Sequence, residues 1–332
     1  AVLPAILVAA LVALCNGMSS AQLAAAHPVS GGTYEYGYRF LTPWLGFTAG
    51  WMFLCAKSAS AATAALGFSG YLLYLIGRAD QIELRIPALL LLVGFTVLVA
   101  SGIKRTAAVN TVVVSMTLGS LVLFMLTVLN GHLVVEQVAV SPSDLMSLGF
   151  LEACALLFVA YTGYGRIATM GEEIKDPARN IPKAILLVVA ITASLYLGVA
   201  FTSVGAVGGE VLGQLTQSTA APLEMVLKNL NEPVMAKVVA VGALIAMAGV
   251  LLNLILGLSR VLLAMGRRKD MPSLFARLHG ESPIFAVIGV GVFIGIIALA
   301  GSIKLAWSLS AFTVLVYYAL TNLAALRLPP RL

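Results

Sequence analysis

Charged residues are scarce in this chain: Asp, Glu, Lys and Arg make up 10% of its 332 residues, against about 25% in soluble globular domains. Hydrophobic residues make up 60%, and together the two values exclude a soluble fold. The apolar residues form blocks of about 20 residues without the two-residue alternation of a membrane β-barrel, and a helix of that length crosses a bilayer. The sequence therefore predicts an all-α polytopic membrane protein surrounded by the lipid bilayer.

Cysteine and histidine are also rare, with three residues of each. Cys15, Cys55 and Cys154 lie in separate apolar blocks without a CxxC motif, so they are predicted to be small packing residues and neither disulfides nor metal ligands. All three histidines fall in predicted loops, and HExxH and Gly-x-Ser-x-Gly motifs are absent. These absences argue against a membrane-embedded enzyme, which needs a nucleophile-base pair or a metal cluster at membrane depth. No metal and no cofactor are expected.

The apolar blocks predict nine membrane spans. They are residues 2–26, 44–75, 86–103, 107–129, 148–171, 184–207, 236–265, 284–301 and 305–326. Placing the loop 266–283 in the cytoplasm also places the C-terminus there, in accordance with the positive-inside rule. Only five of the twenty lysines and arginines then lie outside: Arg78, Arg85, Lys228, Lys237 and Lys304. The net charge of +6 is thus a topology signal in short loops, and no nucleic-acid partner is expected.

The fifth predicted span is interrupted by Thr162-Gly163-Tyr164-Gly165. In lipid an unpaired backbone group costs several kcal/mol, so a loosened helix survives only where its free groups meet protein, water or a ligand. Secondary transporters use such breaks to bind the charged ends of a substrate near the bilayer midplane. The alternative is that the glycines only let a neighbouring helix approach closely. The residues of the break alone leave both interpretations open.

Three segments together resemble the amino acid-polyamine-organocation permeases, and they occur in the same order and on the same predicted membrane side. The segment YTGYGRIATMGEEIKDPARNIPKAI (161–185) is similar to the sixth helix and following loop of that family. HPVSGGTYEYGYRFLTPWLGFTAGW (27–51) is similar to its second-to-third helix loop, and SRVLLAMGRRKDMPSLFARLH (259–279) to the end of its eighth helix. The resemblance covers nearly the whole chain.

The resemblance implies a leucine-transporter-like fold of two inverted repeats of five helices, in which the first and sixth helices are broken at the substrate. The chain would be a single permease domain over 1–332, with the remainder of the first repeat in 1–130 and the second repeat in 148–326. Its spans then correspond to family helices two to ten. An N-terminal truncation is therefore expected, without the first helix that supplies the glycine-rich cradle for the substrate carboxylate in the family.

The resemblance also implies a function: secondary active transport of amino acids or related amines across the cell membrane by alternating access, as a symporter or antiporter. Phe158 and Tyr161 would pack over the substrate, while Thr162, Gly163, Tyr164 and Gly165 would present backbone groups to it. The alternatives are a non-transporting sensor or partner subunit on the same scaffold and, less favoured, a membrane-embedded enzyme. The coupling ion, H⁺ or Na⁺, and the oligomeric state stay open.

Two basic residues inside predicted spans are functional candidates. Lys57 lies thirteen positions after Trp44, about 20 Å into its span and too deep for its charge to reach the interface easily. It is predicted to carry a proton, to replace a coupling cation or to pair with a substrate carboxylate, unless it forms a structural ion pair. Arg166 follows the interruption and would either meet an anionic substrate group or cap a cytoplasmic gate by pairing with Glu172 or Glu173.

The remaining polar candidates lie near the predicted cytoplasmic end and in the seventh predicted span. Glu172, Glu173, Asp176 and Arg179 would form a cytoplasmic gate or structural charge network, in a loop 172–183 shaped by Pro177 and Pro182. In the span 236–265, Asn253 and Ser259 would line a sodium-type cation site or, more simply, hydrogen-bond a neighbouring helix.

Overall fold

The structure is a computed structural model that describes residues 2–27, 31–78, 84–102, 107–138, 145, 147–168, 175–279, 282–300 and 302–328. Its α-helices, in chain order, are α1 (Val2–Ala26), α2 (Thr33–Phe40), α3 (Pro43–Leu75), α4 (Arg85–Ala100), α5 (Ala107–Leu129), α6 (Leu148–Tyr161), α7 (Gly165–Ala168), α8 (Pro177–Val207), α9 (Gly209–Ser218), α10 (Pro222–Asn229), α11 (Pro233–Arg267), α12 (Ile284–Ala300) and α13 (Ile303–Ala325). These residues contain no β-strand. The predicted all-helical class is confirmed.

Among the described residues, five helices are long and apolar enough to cross a membrane, namely α1, α5, α8, α11 and α13. Three further apolar helices are shorter: α4, α12, and α6 with the turn that follows it. The 33-residue α3 is not among these five, and it carries Lys57 and many Ala, Ser and Gly residues. The protein is therefore an integral membrane protein. Its division into two inverted repeats stays a prediction.

The ends of two helices coincide with the predicted spans, and the start of a third does not. α1 and α5 have the predicted bounds, whereas α8 begins at Pro177, seven residues before the predicted start at 184. Proline suits the first helical position, because the backbone group it lacks has no partner there. The prediction that Pro177 and Pro182 shape a loop is wrong, since both lie within α8.

Among the described residues, the helices pack around two large cores and two smaller ones. One large core gathers apolar side chains from α1, α6, α8 and α13 together with part of α3, and the other gathers those of α3, α4, α11 and α12. Fully buried alanines of α3, among them Ala59, Ala62 and Ala65, let α11 and α13 approach it closely.

The three free cysteines do not all lie in the packed interior. Cys15 is exposed on α1, so its predicted packing role is wrong, while Cys55 and Cys154 are half-buried.

The short helices α9 and α10 connect α8 to α11 at one end of the molecule. Within α10, Glu224 is fully buried and neither of its carboxylate oxygens has a hydrogen-bond partner of good geometry among the described residues. Burial raises the pKa of the Glu224 carboxyl to about 8, and the nearby Tyr71 hydroxyl offsets only part of this effect. This carboxyl therefore holds its proton near neutral pH in the folded protein.

A polar cluster just beyond the C-terminal end of α11 connects α2 to this helix. The hydroxyl of Tyr38 donates to Asp270 at 2.7 and 2.8 Å, and the hydroxyl of Tyr34 donates to the same carboxylate. Arg268 donates to both carboxylate oxygens of Glu35 and lies 4.1 Å from the ring centroid of Tyr38. Burial and the bond to Asp270 raise the pKa of Tyr38 to about 12, so it remains a donor at neutral pH.

Replacing Arg268 by alanine is expected to lower the free energy of unfolding by about 1 kcal/mol, because the change removes a carboxylate contact and a ring contact together. Thermal unfolding of the purified protein measures the loss. Arg267→Ala is the matched control, since Arg267 is exposed on the preceding turn without an ion pair among the described residues. Equal losses in the two variants would contradict a specific fastening role for Arg268.

Candidate functional site

The predicted interruption is present as a short 3₁₀ turn at Thr162–Tyr164, here called the helix break, between α6 and α7. The backbone N–H of Thr162 donates to the carbonyl of Val159, three residues earlier, and its hydroxyl donates to the same carbonyl at 2.7 Å. The carbonyl of Thr162 instead accepts hydrogen bonds from the side chains of other helices. At the break, therefore, a backbone carbonyl bonds to side chains outside its own helix.

Lys57 of α3 reaches the helix break. Its Nζ atom donates to Thr162 Oγ1 at 2.9 Å and to the Thr162 carbonyl at 3.3 Å. The Tyr318 hydroxyl donates to the same carbonyl at 3.5 Å, a long and therefore weaker bond. The ammonium group thus sits at the C-terminal end of α6, where the helix dipole favours a cation. No carboxylate among the described residues pairs with it.

The two glycines around the break have different surroundings. Gly163 is exposed, and a β-carbon built on it would have no other atom within 4 Å. A β-carbon on Gly165 would lie 2.6 Å from the Tyr318 hydroxyl oxygen, which is too close for a normal contact. Gly163 therefore faces open space that a ligand can enter, whereas Gly165 lets the backbone pack closely against α13.

The aromatic residues beside the break are buried by protein contacts. The rings of Phe158 and Tyr164 each lie 5.5 Å from the ring of Tyr318, centroid to centroid. Tyr161 packs against Tyr196 at 5.0 Å, and its hydroxyl donates to the Ile6 carbonyl at 3.4 Å. Phe158 and Tyr161 thus anchor α6 to α13, α8 and α1. Their contact with a substrate stays a prediction.

Several residues of α13 complete this site, and the sequence interpretation missed them. Tyr317 packs against Phe53 of α3 at 5.3 Å, and Trp307 donates from Nε1 to the Leu156 carbonyl at 3.0 Å. Ser310 shares a 2.8 Å hydrogen bond with Ser60. The available signal was the adjacent pair Tyr317-Tyr318 within a predicted span, because two polar aromatics at membrane depth need buried partners.

The structure describes only part of the predicted cytoplasmic gate. Asp176 and Arg179 are exposed at the start of α8, and Glu172 and Glu173 lie outside the described residues, as does the side chain of Arg166. Their gate role stays a prediction.

In α11, the half-buried Asn253 and the buried Ser259 are six residues apart. The hydroxyl of Ser259 donates to the Leu256 carbonyl of its own helix at 3.1 Å. The cation site at these two residues also stays a prediction.

Comparison with known proteins agrees with this architecture. Residues 1–331 match the amino acid permease family. An uncharacterized transporter of Mycobacterium tuberculosis is 38% identical over 323 residues, which are 97% of this chain and 71% of the relative. A methylthioribose transporter of Bacillus subtilis is 26% identical, covering 93% of this chain and 70% of the relative.

A branched-chain amino acid permease of Bacillus subtilis is also 26% identical, and here 82% of this chain matches 61% of the relative. All three of these relatives are named as transporters or permeases. Together with the family match, they confirm the resemblance seen in the three sequence segments, and transport of amino acids or related compounds follows from it. The chain belongs to the amino acid permease family.

Proposed function

We propose that this permease is a secondary active transporter that binds an amino acid or related amine at the helix break and carries it across the cell membrane by alternating access. The observation that carries this proposal is the exposed Gly163, which faces open space beside the Thr162 carbonyl at the end of α6. A small molecule entering that space meets the backbone of the helix break. Secondary transporters bind the charged ends of their substrates in this way.

The two large cores offer two bodies for the proposed motion. α1, α6 and α8 contribute to one core, α4, α11 and α12 contribute to the other, and α3 contributes to both. The helix break belongs to the first core, and Lys57 contacts it from α3. Rocking of one body against the other would open the space at Gly163 first to one side of the membrane and then to the other. The cytoplasmic C-terminus indicated by the loop charges belongs to the same proposal.

Uptake into proteoliposomes that contain the full-length protein tests the proposal. Radiolabelled amino acids are expected to accumulate inside the vesicles, above the level in protein-free vesicles. Repeating the assay with a proton gradient, a sodium gradient or neither identifies the coupling ion. A substrate that raises the thermal unfolding temperature without ever accumulating would contradict transport and favour a sensor on the same scaffold.

A further inference from the structure

Lys57 occupies acceptor groups at the helix break. Its ammonium group lies 2.9 Å from Thr162 Oγ1 and 3.3 Å from the Thr162 carbonyl oxygen. Those two oxygens are acceptors that a positively charged substrate group would otherwise use at the end of α6. Phe53, one turn before Lys57 on α3, packs against Tyr317, so this face of α3 is held against the site and the ammonium group has little freedom to leave.

The charge of Lys57 is not neutralised by any described carboxylate. The ion pairs in the described part of the chain are His132–Glu232 and Arg268–Glu35, both at helix ends. The nearest acid along α6 is Glu152, which is exposed and ten residues before Thr162, about 15 Å along the helix axis. In the low-dielectric interior of a membrane protein, the unpaired charge of Lys57 acts on a nearby charged group more strongly than it would in water.

The ammonium group of Lys57 would repel a cationic substrate side chain at the break, whereas it would not repel an uncharged one. We infer that Lys57 makes the substrate site select amino acids with uncharged or anionic side chains and reject those with a cationic side chain, such as arginine and lysine. This selectivity rests on the proposed function. It operates by repulsion, since like charges placed together discriminate more sharply than attractive contacts alone.

The test compares arginine with leucine in proteoliposomes of the full-length protein. The wild type is expected to take up leucine with a kcat/KM at least about tenfold above that for arginine. Lys57→Gln keeps a hydrogen-bond donor but removes the charge, and it is expected to raise the arginine-to-leucine ratio by about tenfold. Lys57→Arg keeps the charge and is expected to leave the ratio low.

Thr63→Ala is the matched control, because Thr63 lies six residues further along α3 and its hydroxyl donates to the Ala59 carbonyl of its own helix at 3.0 Å instead of contacting the break. Its arginine-to-leucine ratio is expected to equal that of the wild type. A ratio that is the same in Lys57→Gln and the wild type would overturn the inference and leave Lys57 as a tether for the helix break. Wild-type protein that takes up no amino acid at all would instead contradict the proposed function.

A competition assay on the wild type tests the rejection of cationic side chains even if Lys57→Gln fails to fold. Excess unlabelled arginine is expected to leave leucine uptake unchanged, while unlabelled isoleucine or valine reduces it. Inhibition by arginine as strong as that by isoleucine would overturn the inference without reference to any variant.

Discussion

Uptake is expected to be lost when Gly163 is replaced by leucine, while the protein remains folded. The new side chain projects into open space, because no other atom lies within 4 Å of the position that its β-carbon would occupy. Its β-carbon therefore displaces no protein atom, and the rest of the side chain is expected to fill the space proposed for the substrate. Uptake of radiolabelled amino acid into proteoliposomes measures the loss, and size-exclusion chromatography with thermal unfolding checks the fold.

Two other glycines separate this effect from a general sensitivity to substitution. Gly165→Ala is expected to destabilise the protein, because its methyl group would meet the Tyr318 hydroxyl at 2.6 Å. Gly94→Ala in α4 also faces open space, and alanine there is expected to stabilise the helix by about 0.5–1 kcal/mol with unchanged uptake. Wild-type uptake by folded Gly163→Leu would show that the substrate does not bind at the helix break.

The sequence predicts the helices well where composition changes abruptly. The bounds of α1 and α5 agree with the predicted spans, because each apolar run ends where polar or turn residues begin. α2, α9 and α10 have eight to ten residues, too few for a hydropathy signal, and their short apolar faces are stabilised by packing on longer helices. Their presence therefore depends on tertiary structure.

The candidate site could likewise be predicted from the sequence only in part. The break itself was predicted, because closely spaced glycines at membrane depth weaken a helix locally and this signal needs no knowledge of distant residues. The contact of Lys57 with Thr162 joins residues 105 positions apart, and that of Tyr318 with Thr162 joins residues 156 apart. Sequence shows that a buried lysine needs partners, but only the packing of α3 and α13 against α6 identifies them.

The stability of the protein is expected to fall as pH rises from about 5 to 9, and replacing Glu224 by glutamine is expected to remove most of that dependence. Burial raises the pKa of the Glu224 carboxyl from its ordinary 4.5 to about 8. The folded protein therefore keeps a proton that the unfolded chain releases. This contribution is fully present below pH 4.5 and is lost as pH rises through 8, a difference of roughly 5 kcal/mol.

The groups facing Glu224 do not reverse this expectation. The hydroxyls of Tyr71 and Tyr74 on α3 interact with it electrostatically, and Lys228 of the same helix is exposed. Thermal unfolding in detergent from pH 5 to pH 9 measures the effect, with Glu210→Gln on the exposed surface of α9 as the matched control. Glu224→Gln should unfold at nearly constant temperature and exceed the wild type at pH 9, because a neutral amide leaves no buried charge there. Parallel curves for the wild type and Glu224→Gln would mean that Glu224 reaches solvent and ionises freely in the folded protein.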